Sequence, residues 1–186
     1  VDAPAGGGTG GGGGGECFPY GTQIWMSDGT WKNIEDVSIG DKVKSYDLST
    51  DTQPSTDAVS EYLGYRWDGM TGTMAESTLA EKSEDYYYDH YQLTLENGEV
   101  ITATYEHPLY VKRTLPHETQ YRWVRMKSIN PQYDEIMSVG GTAVGITDKT
   151  YHVEEEIFVH IGVEDIDNYF IKVGDSIYIA HNAGGK

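Results

Sequence analysis

The stretch LENGEVITATYEHPLY, residues 95–110, decides the fold and also carries two groups suited to catalysis. Apolar residues alternate with polar ones up to Asn97 and Gly98, a pair that favours a tight two-residue hairpin turn. A second strand-like segment returns as far as Thr104, and His107 follows three residues later. Because residues i and i+2 share one face of a strand, the hydroxyl and the imidazole converge only if the chain bends after Thr104.

Strand signals dominate the rest of the chain as well. Short apolar segments punctuated by Gly and Asp predict further strands at residues 22–26, 31–34, 41–46, 135–139, 156–163, 169–173 and 176–180. Two polar stretches, residues 50–57 and 67–85, are predicted to be long loops. This pattern is typical of an all-β domain with little helix.

The composition is that of a globular protein, with 38% hydrophobic and 12% aromatic residues among 186. A net charge of −17 argues against nucleic-acid binding, because a phosphate backbone attracts clustered Lys and Arg. No run of about 18 apolar residues is present, so we expect no membrane span. The first residues lack the basic start and the apolar run of a signal peptide, and the expected location is therefore the cytoplasm.

Glycine-rich sequence marks the beginning of the folded part. Residues 6–15 are nine glycines and Thr9, a composition that cannot bury apolar surface and predicts a flexible linker. We therefore expect a flexible upstream flank at residues 1–16, a single domain at residues 17–182, and a short downstream flank at residues 183–186. A single cysteine excludes an internal disulfide.

Both boundaries of this domain carry a group that can attack a peptide bond. Cys17 supplies the chain's one thiol at the first position, and Asn182, preceded by His181, has a side-chain amide able to attack its own carbonyl. Together with Thr104 and His107, these groups predict a domain that breaks peptide bonds at its own two edges.

Three blocks of sequence, taken in order, resemble those of intein and Hedgehog-type (Hint) domains. They are CFPYGT with IEDVSIGDKV (17–22 and 34–43), the segment 95–110 with its Thr-x-x-His-Pro motif, and VEDIDNYF with IYIAHN (163–170 and 177–182). The resemblance is to a mini-intein or a bacterial intein-like domain without an endonuclease insert. It implies a compact, pseudo-twofold, horseshoe-shaped all-β fold that brings both ends together. It also implies a cofactor-free monomer that processes its own flanking sequences.

The upstream reaction expected by this resemblance is an N-to-S acyl shift. Cys17 would attack the carbonyl of Glu16 and convert that peptide bond into a thioester. A thiol with a free pKa of about 8.5 is mostly protonated at neutral pH and needs a base. His107 is the candidate base, and it would later donate a proton to the departing nitrogen. Thr104 would either hydrogen-bond the carbonyl oxygen or orient the scissile bond.

The expected downstream reaction is cyclisation of Asn182, which would cut the bond to Ala183. An amide is a poor nucleophile, so the geometry of the folded domain must supply most of the rate. His181 would protonate the leaving nitrogen or polarise the carbonyl.

Two positions depart from the pattern of a splicing intein. Ala183 stands where a splicing intein needs Cys, Ser or Thr, so we expect cleavage of each flank instead of ordinary splicing. His160 stands where the family often has Asp, and it would either assist a cleavage step or be a structural strand histidine. We expect no metal cofactor, although Cys17, His107 and His181 could together trap inhibitory zinc.

Other functions stay open at this point. The chain could be a non-catalytic Hint-like β module of a larger host protein, or a splicing intein engineered to stop by the substitution at Ala183. Sterol transfer, as in Hedgehog proteins, fits less well because those domains lack the closing His-Asn pair.

Overall fold

The computed structural model describes residues 15–47, 65–66, 72–164 and 166–181. Within these ranges the chain is almost entirely β-structure, with short 3₁₀ helices at Ile34–Asp36 and Met126–Ser128. The strands are β1 Phe18–Pro19, β2 Gln23–Trp25, β3 Trp31–Asn33, β4 Lys42–Asp47, β5 Tyr65–Arg66, β6 Thr73–Tyr87, β7 His90–Leu95, β8 Val100–Ala103, β9 Pro108–Thr114, β10 Thr119–Arg125, β11 Asp134–Met137, β12 Ala143–His152, β13 Glu156–Val163, β14 Asn168–Val173 and β15 Ser176–His181.

These strands form two antiparallel sheets in the described part of the chain. The smaller sheet has the order β1-β13-β6-β4. The larger runs β3-β2-β14-β15-β9-β11-β12-β7-β8, with β10 paired to β9 and β5 paired to β10. The first strand therefore lies in one sheet, and β15, which leads to the predicted downstream boundary, lies in the other.

The strands at the centre of the larger sheet bury both of their faces. On β9, Leu109 belongs to the main hydrophobic core, whereas its neighbour Tyr110 packs in a second cluster with Trp123 and Phe170. On β15, Tyr178 and Ile179 divide between the two clusters in the same way. Successive side chains of a strand point to opposite faces, so the continuous apolar sequence of these strands reflects burial on both sides.

The hairpin predicted around Asn97 and Gly98, within residues 90–111, forms from β7 and β8, but its loop is one residue longer than predicted. Gly98 N donates to Leu95 O at 2.9 Å, and Leu95 N donates to Glu99 O at 2.8 Å, which leaves three residues between the closing pair. Gly98 takes the left-handed conformation with φ of 84°. A turn followed by a left-handed glycine is the usual construction of a three-residue hairpin loop.

The other predicted strands are confirmed, with boundaries that differ by one or two residues. The prediction of a loop at residues 67–85 is wrong over its described part, because β6 spans 15 residues there. Its polar sequence is held by pairing on both sides, to β4 along its first half and to β13 along its second. Strands β10 and β12 were not predicted either. The predicted loop at 50–57 lies outside the described residues.

Candidate active site

The peptide bond between Glu16 and Cys17 is buried although a glycine tract precedes it. Only 6% of Glu16 and 3% of Cys17 are exposed. β1 begins at the next residue and pairs with β13, where Phe18 lies opposite Val159. The carbonyl oxygen of Cys17 accepts a hydrogen bond from the backbone of Thr104 at 3.1 Å. The backbone of the domain therefore holds this junction in place.

Thr104 contacts the nitrogen of that bond. Its Oγ1 accepts a hydrogen bond from the N–H of Cys17 at 2.9 Å and donates one to the carbonyl oxygen of Gly15. Of the two roles predicted for Thr104, orientation of the scissile bond agrees with this geometry. The other predicted role, a hydrogen bond to the Glu16 carbonyl oxygen, belongs to a different residue in this structure.

His160 contacts the carbonyl oxygen of the same bond. It lies on β13, and its Nδ1 is 3.0 Å from the oxygen of Glu16. Because a carbonyl oxygen only accepts hydrogen bonds, Nδ1 carries the proton in this contact. On the far side of the ring, Nε2 is 3.9 Å from the carboxylate of Glu81 on β6. His160 therefore lies where negative charge would develop if the carbonyl were attacked.

The bend required by the Thr104–His107 spacing is present. His107 N donates to Thr104 O at 3.1 Å, which closes a turn directly after β8. The backbone N–H of Met126 donates to His107 O at 2.9 Å and ties this turn to the second 3₁₀ helix. Thr104 and His107 are both fully buried.

The imidazole of His107 is buried away from solvent. Its ring centroid is 4.0 Å from that of Phe18, the residue after the nucleophile. The pKa of His107 is lowered to about 3, mainly by burial and also by the nearby His160 and His181, while the Glu16 backbone acts in the opposite direction. His107 is therefore a neutral ring at physiological pH, with one ring nitrogen protonated and the other free to accept a proton.

The thiol of Cys17 is protonated in this environment. Burial raises its pKa to about 11, and the carboxylates of Glu16 and Asp85 also raise it. Its Sγ lies 3.5 Å from the hydroxyl of Tyr87, a hydrogen bond that lowers the pKa. At neutral pH, therefore, little of the Cys17 side chain is in the reactive thiolate form.

His181 ends β15 and is close to the upstream site. Its ring packs edge-on against Trp123, with centroids 4.9 Å apart, and burial lowers its pKa to about 3. β15 pairs with β9 through Ala180 and Leu109, and β9 begins at the residue that follows His107. The two histidines are thereby brought together. Asn182 and Ala183, predicted to carry the downstream reaction, lie outside the described residues.

The structure thus gathers Cys17, Thr104, His107 and His160 around one peptide bond. Sequence reasoning missed Tyr87 and Glu81, which both lie on β6; Glu81 falls within the predicted loop at 67–85, and Tyr87 lies two residues beyond it. Among the described residues, no three His, Cys, Asp or Glu side chains are grouped closely enough to hold a metal ion. The predicted zinc trap of Cys17, His107 and His181 is therefore not supported by their arrangement. No helix of the described chain is long and apolar enough to cross a membrane.

No protein-family model matches this chain, and no curated protein matches it. Solved structures do. A DnaB intein from Synechocystis sp. PCC 6803 aligns over 90% of this chain and 98% of its own, with 14% identity and a TM-score of 0.61. The TvoVMA intein aligns over 92% and 100%, with 15% identity and a TM-score of 0.61. The chain therefore has the intein (Hint) fold, which confirms the predicted all-β class.

Within that class, the chain is similar to a bacterial intein-like domain from Clostridium thermocellum. The two share 25% sequence identity over 90% of this chain and 99% of the other, with a TM-score of 0.63. The alignments thus cover the intein-like structures almost from end to end.

Proposed function

We propose that this chain is an autocatalytic processing domain that cleaves the peptide bonds at its own two boundaries. The observation that carries this proposal is the environment of the Glu16–Cys17 peptide bond. It is buried, its carbonyl oxygen is hydrogen-bonded by His160, and its N–H is hydrogen-bonded to Thr104. A bond that merely joins a glycine tract to a domain has no need of side chains at both of its polar ends. The similarity to intein structures supports the same conclusion.

The first upstream step is attack of the Cys17 sulfur on the carbonyl carbon of Glu16. A sulfur–carbon bond forms, and the carbonyl oxygen gains negative charge. The N–H donor of His160, 3.0 Å away, stabilises that charge. Thr104 keeps the nitrogen of the same bond fixed, so that the carbonyl carbon stays in reach of the sulfur.

Removing the proton from the Cys17 thiol is the difficult part of this step. Burial raises the pKa of Cys17 to about 11 and lowers that of His107 to about 3, so full transfer of the proton before attack is strongly unfavourable. We infer that His107 removes the proton during the attack itself, so that the sulfur carries partial negative charge while the new bond forms. His107 passes it to the departing nitrogen, since the ring does not retain a second proton.

The carbon–nitrogen bond then breaks, and the amine of Cys17 keeps the proton that the thiol lost. The product is a thioester isomer of the starting chain, so neither an oxidant nor a cofactor is consumed. Hydrolysis, or attack by an external thiol or amine, releases residues 1–16.

At the other boundary, we propose that Asn182 attacks its own carbonyl and releases residues 183–186 as a separate peptide. His181, neutral at the end of β15, would polarise that carbonyl or assist the leaving nitrogen. Ala183 has no nucleophilic side chain to receive the upstream flank. The expected outcome is therefore cleavage at both ends, in a single turnover, and not ordinary splicing.

Intact-mass spectrometry of the purified chain, with and without dithiothreitol, tests the proposal. We expect loss of residues 1–16 that dithiothreitol accelerates, and separate loss of residues 183–186 with a succinimide at Asn182.

Two variants separate the reactions. Cys17→Ala should stop upstream cleavage and leave some downstream cleavage, and Asn182→Ala should do the reverse. Loss of both reactions in either variant would contradict independent steps. An unchanged mass of the parent chain under all conditions would instead mean a structural Hint-like module.

A further inference from the structure

In the structure the thiol of Cys17 donates a hydrogen bond to the hydroxyl oxygen of Tyr87, with the sulfur and the oxygen 3.5 Å apart. Tyr87 ends β6, where it lies opposite Glu156 of β13. The same strand β13 pairs on its other edge with β1, which begins directly after Cys17. The tyrosine and the nucleophile are thus 70 residues apart in sequence but are held on either side of one shared strand.

Packing fixes the ring of Tyr87 in this position. It meets Phe158 of β13 edge-on, with ring centroids 5.6 Å apart and an interplanar angle of 73°. Its neighbours Tyr86 and Tyr88 are 60% and 68% exposed and point away from the thiol. Of three consecutive tyrosines, only the middle one is placed by the alternation of the strand to reach Cys17.

A thiolate at Cys17 needs a hydrogen-bond donor, because the charged groups near the sulfur are themselves negative. Glu16 and Asp85 are carboxylates, and burial disfavours the thiolate further. Tyr169 on β14 is a fully buried phenol whose pKa is raised by burial and by Cys17 and Glu16. Burial raises the pKa of Tyr87 as well, so its hydroxyl keeps its proton at any working pH.

We propose that Tyr87 is a catalytic residue of upstream cleavage: as the thiol loses its proton, this hydrogen bond reverses, and the Tyr87 hydroxyl donates to the Cys17 sulfur that is gaining negative charge. This role rests on the proposed function. The sulfur–carbon bond forms, the carbon–nitrogen bond breaks, and the thiol proton ends on the Cys17 amine. Tyr87 keeps its own proton throughout. A hydrogen bond to a charged atom is among the stronger ones in proteins, and it contributes here only when charge appears.

The test compares Tyr87→Phe with the matched control Tyr86→Phe on the adjacent, exposed position. Phenylalanine keeps the packing against Phe158 and removes only the hydroxyl. Dithiothreitol-driven release of residues 1–16 should slow on the order of 10- to 100-fold in Tyr87→Phe at pH 8 and remain at the parent rate in Tyr86→Phe.

A second readout does not depend on cleavage. Cys17 is the one cysteine of the chain, so its alkylation by iodoacetamide can be followed as a function of pH by mass alone. The pH midpoint of alkylation should be higher in Tyr87→Phe than in the parent and in Tyr86→Phe. If the parent chain does not cleave, the proposed function fails, but this titration still decides whether Tyr87 stabilises the thiolate.

Equal midpoints and equal cleavage rates in Tyr87→Phe and the parent would overturn the proposal. Thermal unfolding of both variants shows whether each is folded. If Tyr87→Phe is not, Tyr87→His takes its place, because histidine retains a ring N–H donor. Its midpoint should then stay close to that of the parent, and a midpoint clearly above the parent's would also overturn the proposal.

Discussion

The two sides of the Glu16–Cys17 bond are built from opposite kinds of surroundings. On the β13 and β6 side, His160 and Tyr87 offer donors to the carbonyl oxygen and to the sulfur, and the Glu81 carboxylate stands behind His160. On the turn and β15 side, His107 and His181 are desolvated neutral rings. We infer that the two sides have different roles. The polar side, with His160 and Tyr87, stabilises negative charge, and the buried side, with His107 and His181, which we call the dry side, transfers protons.

The largest effect is expected on the dry side, from His107→Gln. Glutamine approximates the size of histidine but cannot accept and pass on a proton in this way. Upstream cleavage should fall by roughly 10²- to 10⁴-fold, the usual contribution of a general acid or base. The rate of release of residues 1–16 with dithiothreitol measures it, with the exposed His117→Gln as control. A His107→Gln rate within a few-fold of the parent would remove the proton-transfer role.

On the polar side, His160→Leu removes the donor to the Glu16 oxygen while filling much of the same space. Upstream cleavage should slow by about 10²- to 10³-fold, as found when one donor to a developing oxyanion is lost. Downstream cleavage should persist, because His160 contacts the upstream carbonyl. Equal slowing at both boundaries would mean that His160 supports the fold and not the upstream reaction.

The same comparison predicts how acid affects stability. The folded-state pKa of His107 is lowered to about 3 from an ordinary value of 6.5, so the unfolded chain binds a proton first as the pH falls. The stability from this group is complete above pH 6.5 and is lost progressively between pH 6.5 and 3. At pH 5 the loss is about 2 kcal/mol for His107 and a similar amount for His181.

Urea unfolding at pH 7 and pH 5 measures this loss. The difference in unfolding free energy between the two pH values should be about 2 kcal/mol smaller in His107→Gln than in the parent. The carboxylates of the chain are common to both proteins and cancel in this comparison. An identical pH dependence would show that the ring of His107 is solvated and titrates normally.

The part of this site that follows local sequence could be predicted. The hairpin around Asn97 and Gly98 and the bend after Thr104 arise from neighbouring residues, and the predicted strands at 169–173 and 176–180 carry apolar patterns of their own. Cys17 and His160 were identified because each lies in a recognisable block. Even so, which atom Thr104 contacts depends on the path of the chain before Cys17.

The β6 contribution could not be predicted, because no local signal marks it. Its sequence, TMAESTLAEKSEDYY, is rich in charged and small residues, and its strand conformation comes from pairing with β4 and β13. Tyr87 and Glu81 face the site only because of their register with β13. A shift of one residue would turn Tyr86 inward instead, so an inference about this strand needs the non-local pairing first.

The smallest effect on upstream cleavage is expected for Glu81→Gln, which tests whether the carboxylate beside His160 contributes to the polar side of the site. Its carboxylate lies 3.9 Å from Nε2 of His160, and its side chain is largely exposed. Exposed ion pairs contribute little, so Glu81→Gln should slow upstream cleavage only about two- to fivefold. Salt should reduce the parent rate toward that of the variant, because exposed charges are screened.

Glu84→Gln is the matched control, since it removes the same charge three residues along β6, where the carboxylate hydrogen-bonds Tyr20 and not His160. If both variants slow cleavage equally, the effect belongs to the overall negative charge of β6. If Glu81→Gln alone is slower at low salt, the carboxylate acts through the His160 ring. A much larger effect of Glu81→Gln would mean that the polar side of the site depends on a charged pair, and the donors to oxygen and sulfur would then not be independent of each other.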